Sequence, residues 1–217
     1  MKAAVFSYTN RRGVTYYVHQ MQTKHGARRY AAKRSAQGAL PELPAGLEIV
    51  ENVNGQVSVR VSRARDILPL EERLVQQALE THGRRDYRLE TKGRDIIIHE
   101  PLSNVEEIAD ALSPTGVWGN LGLDLDKMMR RKVGDAAWEE HLRQQKEQVR
   151  QDLQRRMRYG PVIRFRLDDP VQRRFSVERM CYLGEGGWLG LTFGMTLADA
   201  CDRYMPLLGT EELFEEF

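Results

Sequence analysis

An α+β fold, built from an N-terminal antiparallel β-sheet, a long central helix and a C-terminal β-hairpin plus helix, follows from three patterns in the sequence. Short runs of alternating apolar and polar residues crowd the first 65 positions, a proline-free charged stretch occupies the middle, and alternation returns after residue 159. With 217 residues, 41% of them hydrophobic, the chain has enough apolar mass for a buried core. It divides by composition into a basic β-rich segment 1–65, a helix-hairpin-helix segment 66–123, a charged helical segment 124–159 and a C-terminal α+β segment 160–217, folded as one or two domains in total.

The N-terminal strands are expected at 2–9, 13–24, 27–36, 47–53 and 56–61, bounded by Gly, Asn or His. Register arithmetic specifies two of their turns. A two-residue loop at Asn54-Gly55 would set Ile49 against Arg60 and leave neither face apolar. A three-residue loop with Gly55 in the left-handed position sets Ile49 opposite Val59 and Leu47 opposite Val61, giving one apolar face. The same reasoning at Lys24-His25-Gly26 sets Val18 opposite Ala32. Val14, Tyr16, Val18, Tyr30 and Ala32 then share one face, and Tyr17, His19, Met21, Arg29 and Lys33 the other.

Pro69 opens a helix over 68–82, with Leu70, Leu74, Val75 and Leu79 at helical spacing and Gly83 as its stop. A hairpin follows over 87–100. Ser103 with Glu106 reads as a capping box for a short helix over 104–112, which the Ser-Pro-Thr-Gly turn at 113–116 ends. The stretch 124–158 reads as one long helix or as two broken near Gly134; unbroken, it would span roughly 50 Å. Its acidic start and its Arg155, Arg156 and Arg158 end match the helix dipole. Trp138, Leu142, Val149, Leu153 and Met157 form a narrow apolar stripe suited to one packing partner, so Trp138, Leu142, Val149 and Leu153 are the candidate interaction residues of this helix. Strands at 162–169, 173–184 and 188–194, a Thr196-capped helix over 197–208 and a short docked helix in the acidic tail complete the reading.

The formal net charge of +2 conceals an asymmetry, because residues 1–65 carry 11 Lys and Arg against 3 Asp and Glu. Phosphates attract such cations, and tyrosine faces stack on unpaired bases. The candidate nucleic-acid-binding residues are therefore Arg11, Arg12, Tyr17, His19, Lys24, Arg28, Arg29, Lys33 and Arg34, interleaved with Tyr8, Tyr16, His25 and Tyr30. The competing reading makes them solvated strand residues whose stems cover the sheet and whose charges block edge pairing. No helix-turn-helix, zinc-finger or RNP motif accompanies them.

Catalytic readings are weaker. Glu90-Thr91-Lys92, with Asp66 or Asp86 as a second carboxylate, matches part of a metal-dependent nuclease core, but such triplets are common in charged sequences. Asp168 and Asp169 before Pro170 suit a turn, and Glu178 is set to approach Asp168 across the following hairpin. The glycine run 184–187 leads into a strand rather than a helix, so it is no phosphate cradle. His19, His25, His82, His99 and His141 share no ligand spacing and read as surface or turn positions, and Cys181 and Cys201 read as buried structural thiols. No catalytic residue, metal or cofactor is assigned.

The function expected from sequence is a non-catalytic nucleic-acid or polyanion-binding accessory protein. A protein adaptor or self-associating subunit acting through the long helix is the first alternative, and a metal-dependent nuclease the second. The partners expected are nucleic acid or an acidic protein, or further copies of the chain in a homo-oligomer or larger complex. The two cysteines without CxxC spacing, the absence of an apolar leader run and the absence of any membrane-length window give a cytoplasmic, membrane-free expectation.

Overall fold

Ile96, Ile98, Phe165, Leu167, Phe175 and Val177, at every second position of three strands, build a sheet with one apolar face, and the computed structural model shows that sheet with its apolar face buried. The structure describes residues 5–112, 125–182 and 187–215. Two units are compact in themselves, one comprising residues up to Pro101 together with those from Tyr159 onward, the other Leu102–Arg158. Among the described residues, no helix is long and apolar enough to cross a membrane.

In the larger unit, strands β1 (Ser7–Thr9), β2 (Thr15–Gln22) and β3 (Arg28–Lys33) form one antiparallel sheet, and β4 (Leu47–Glu51) and β5 (Val57–Val61) form a separate hairpin. Strands β6 (Arg88–Lys92), β7 (Asp95–Pro101), β8 (Tyr159–Asp169), β9 (Arg174–Cys181) and β10 (Gly187–Met195) form an antiparallel sheet in the order β10-β9-β8-β7-β6. Helices α1 (Pro69–Thr81), α5 (Leu197–Tyr204) and α6 (Glu212–Glu215) cover its apolar face. There Val75, Leu79, Ala200, Tyr204 and Leu213 join Ile96, Ile98, Phe165 and Val177 in one buried cluster. A bulge in β8 between the pairs Ile98–Ile163 and His99–Pro161 turns the consecutive residues Val162 and Ile163 both into this core.

Both hairpin registers follow the alternation. Ile49 pairs with Val59 and Leu47 with Val61, while Val18 pairs with Ala32 and Tyr17 with Lys33. The tip of β4–β5 closes with Asn52 N donating to Gln56 O at 3.0 Å and Gly55 at φ +75°. A Cβ at Gly55 would also sit 3.1 Å from the Arg12 side chain. Gly55→Ala is therefore expected to destabilise the fold by about 1–2 kcal/mol, the cost of a left-handed alanine, read as a lower urea midpoint. An unchanged midpoint would show that the tip tolerates another turn type.

The hairpin β4–β5 is anchored at three places. Asn10 Nδ2 donates to Gly55 O at 2.7 Å, the Tyr8 hydroxyl donates to Glu51 at 2.7 Å, and Asn54 both donates to Tyr159 O and accepts from Tyr159 N. The accepting Glu51 carboxylate, together with burial, holds the Tyr8 hydroxyl above its usual pKa.

The smaller unit contains α2 (Val105–Ala111), α3 (Leu125–Val133) and α4 (Asp135–Arg156). The cap of α2 is Asn104 rather than Ser103: its Oδ1 accepts from Glu106 N and Glu107 N at 3.1 and 3.3 Å. The expected turn at 113–116 lies outside the described residues. Of the two readings of 124–158, the broken one holds, since Gly134 at φ +87° separates α3 from α4. Buried Trp138 donates to Asp126 at 2.9 Å, and Arg130 bridges Asp126 and Glu139 across that break.

Candidate nucleic-acid interface

The β2–β3 hairpin turns through Thr23–Ala27, with Thr23 N donating to Ala27 O at 2.8 Å, Thr23 Oγ1 accepting from Ala27 N at 3.1 Å, and Gly26 supplying φ +78°. Residues 20–29 are all exposed, so at this end both faces of the two-stranded ribbon meet solvent. Lys24, Arg28, Arg29, Lys33 and Arg34 are exposed, and none of these side chains has a hydrogen bond or ion pair with another described residue. Elsewhere arginines are commonly paired: Arg60 with Glu48, Arg130 with Asp126, Arg150 with Glu106 and Arg173 with Glu71. The reason lies in the sequence, where no Asp or Glu occurs before Glu42.

The other members of the candidate set are drawn into packing. Arg11 is half-buried with its guanidinium 5.1 Å from the centre of the Tyr159 ring, and half-buried Arg12 lies against Gly55. His19 shares a face with Tyr17, Arg29 and Lys33 as the register requires, but it is only 7% exposed and its Nε2 lies 2.8 Å from Ser35 O. The chain after β3 folds back along β2, with Leu40 N donating to Val18 O, and so covers the proximal half of the hairpin. His99, on β7, is likewise buried, which corrects the surface expectation for these two histidines. Tyr8, Tyr16, Tyr17 and Tyr30 are all half-buried. The tyrosines of the hairpin are thus only partly open to solvent, and the cationic half of the expectation is better exposed than the aromatic half. Strand β5 runs beside β3 across a groove of about 420 Å³ lined in part by Arg28, Arg29, Tyr30 and Arg60.

The residues of the nuclease reading are dispersed. Glu90 and Lys92 share a face of β6, Asp66 lies 4.0 Å from Arg94 ahead of α1, and Asp86 is exposed before β6. Among the described residues, no group of three or more His, Cys, Asp or Glu is placed to hold a metal ion. Glu90 instead approaches His99 Nε2 at 3.5 Å, and burial pushes its carboxyl up and the His99 imidazole down.

Glu178 does not meet Asp168, which is exposed. It pairs with Arg164, directly opposite on β8, and Arg164 also lies 3.6 Å from Asp95 and 4.4 Å from the centre of the Trp188 ring. This Asp95–Arg164–Glu178 cluster on the polar face of the central sheet was not anticipated from sequence. Its only signal there is a charged residue between Ile163 and Phe165, which reads as a solvated strand position. Asp169 forms a local turn, accepting from Val171 N and Gln172 N. Cys201 is buried and burial pushes its thiol up to about 12, far from nucleophilic use, whereas Cys181, expected to be buried, is only half-buried on β9.

Helix α4 packs against α2 within the smaller unit, where Lys146 meets Asp110 at 2.6 Å and Arg150 meets Glu106 at 2.8 Å. Of the stripe residues, Trp138 is buried and Leu142, Val149 and Leu153 are half-buried. Comparisons with protein families, with curated proteins and with solved structures find no match to this chain.

Proposed function

We propose that the chain binds nucleic acid through the exposed cations that run from the β2–β3 turn along β3 to Arg34, acting as a non-catalytic accessory protein. The observation that carries this reading is the set of exposed cations, Lys24, Arg28, Arg29, Lys33 and Arg34, which have no partner among the described residues. Paired arginines have their charge spent locally, whereas these five project an uncompensated field that a polyphosphate satisfies by releasing condensed counterions. Arg11, Arg12 and His19 hold the hairpin in place rather than touch the ligand.

Binding to DNA or RNA is expected to weaken steeply with salt. Arg29→Ala and Lys33→Ala should each reduce the slope of log K against log salt by about 1, the contribution of one neutralised phosphate. Fluorescence anisotropy across a salt series measures this, and the absence of binding at low salt would overturn the reading.

A further inference from the structure

We infer that the hairpin enters the major groove of duplex DNA turn-first, with Gln22, Lys24 and Arg28 presented to base edges. This rests on the nucleic-acid reading above and narrows its ligand.

Shape comes first. The exposed end of β2–β3 is a ribbon two strands wide, about 5 Å between backbones. With side chains, such a ribbon fits the major groove of B-form DNA, about 12 Å wide, and is excluded from the minor groove of about 6 Å. Strand β5 beside the outer edge of β3 keeps the ribbon from lying lengthwise in a groove, so the turn leads.

The chemistry at the tip agrees with that geometry. Gln22 and Arg28 are paired in register and so lie side by side on one face, with Lys24 in the turn beyond them. A glutamine amide complements N6 and N7 of adenine, and arginine or lysine complements O6 and N7 of guanine. None of the three side chains is held by another described residue. No acid before Glu42 repels the flanking phosphates.

The same observations disfavour the other nucleic acids. Single strands are held by stacking on open aromatic faces, and the hairpin's tyrosines are half-buried. Duplex RNA has a major groove too deep and narrow for a ribbon to read.

The test compares three probes by anisotropy at low salt: a short DNA duplex, one of its single strands, and the RNA duplex of the same sequence. Dimethyl sulfate protection of guanine N7 then reports the major groove. The expected result is preference for the DNA duplex, with N7 protected. The double variant Gln22→Ala/Arg28→Ala should bind the duplex about thirtyfold or more weakly, at the lower end of what two base contacts contribute. Its circular dichroism and melting should match those of the parent, since both side chains are exposed and unpaired. Equal or tighter binding to the single strand or to duplex RNA, or an unprotected N7, overturns the inference and leaves the broader reading standing. Failure to bind any of the three probes removes both.

Discussion

Alanine in place of Arg164 is expected to destabilise the fold by about 3–5 kcal/mol at neutral pH, the range found when one member of a buried ion pair is removed. Its side chain is 13% exposed, between Asp95 at 20% and Glu178 at 16%. Without the guanidinium, two carboxylates face each other across β7, β8 and β9 with no cation between them, and Trp188 loses the group over its ring. The loss should also depend on pH with a definite sign. Burial already raises the Asp95 carboxyl above its ordinary 3.8, and Arg164 is the foremost influence pulling it back down.

In the variant, the folded-state pKa of Asp95 therefore rises further, and the folded chain binds that proton more tightly than the unfolded chain. Stability linked to Asp95 is then recovered as pH falls through the raised pKa toward 3.8, and is lost as pH rises through it. Urea unfolding of parent and variant at a series of pH values measures the difference. A gap that stays constant from neutral to acid pH would show that the cluster's charge is not what holds the strands. Arg164→Lys keeps one positive charge but loses the planar fork and the stacking on Trp188, so it should fall between the two.

The second large effect lies in the tail. Leu213→Ala is expected to cost about 3 kcal/mol, the usual loss for a leucine truncated in a core, and to lower the melting temperature by about 10 °C. Leu213 is completely buried among Tyr204, Phe165 and Val177, although it belongs to a helix of a single turn. So short a helix has no stability of its own, and its order derives from what it packs on. Neighbouring Phe214 is 45% exposed, its carbonyl accepting from Arg179, so Phe214→Ala should cost less than half as much. Equal losses at the two positions would mean that α6 docks through Phe214 instead. Limited proteolysis gives an independent readout, because Leu213→Ala should expose the tail to cleavage before the rest unfolds.

Much of the fold was legible because period-two alternation fixes strand register wherever one face is buried. The bulged β4–β5 tip, the Val18–Ala32 pairing and the helix opened by Pro69 all follow from that rule and from turn chemistry. The polar contacts were less legible, and for a common reason. Alternation assigns a residue to a face without saying what later covers that face. His19 was placed on the correct side of β2, but its burial depends on residues 35–40 returning along the strand. The tyrosines were placed among the cations, yet a ring on a two-faced hairpin serves the sheet it stands on before any ligand. Arg164 reads as a solvated strand residue because its partners come from β7 and β9, the former separated from it by the whole smaller unit. At the hairpin turn Lys24, Arg28 and Arg29 stay exposed, and the sequence before Glu42 offers them no acid to pair with.

Strands β7 and β8 are hydrogen-bonded neighbours ending at the pair Pro101–Tyr159, and Leu102 N donates to Arg158 O at 2.9 Å directly beyond it. The 57 residues of the smaller unit are therefore the connection of what is otherwise a hairpin. As an unfolded loop, that connection would cost about 3 kcal/mol more in closure entropy than a two-residue turn. Once α2, α3 and α4 have assembled, the ends are already held together and most of that cost has been met. With Leu102 and Arg158 joined at its base, the folded smaller unit takes the place of a tight turn for this strand pair, as a buckle does for the two ends of a strap.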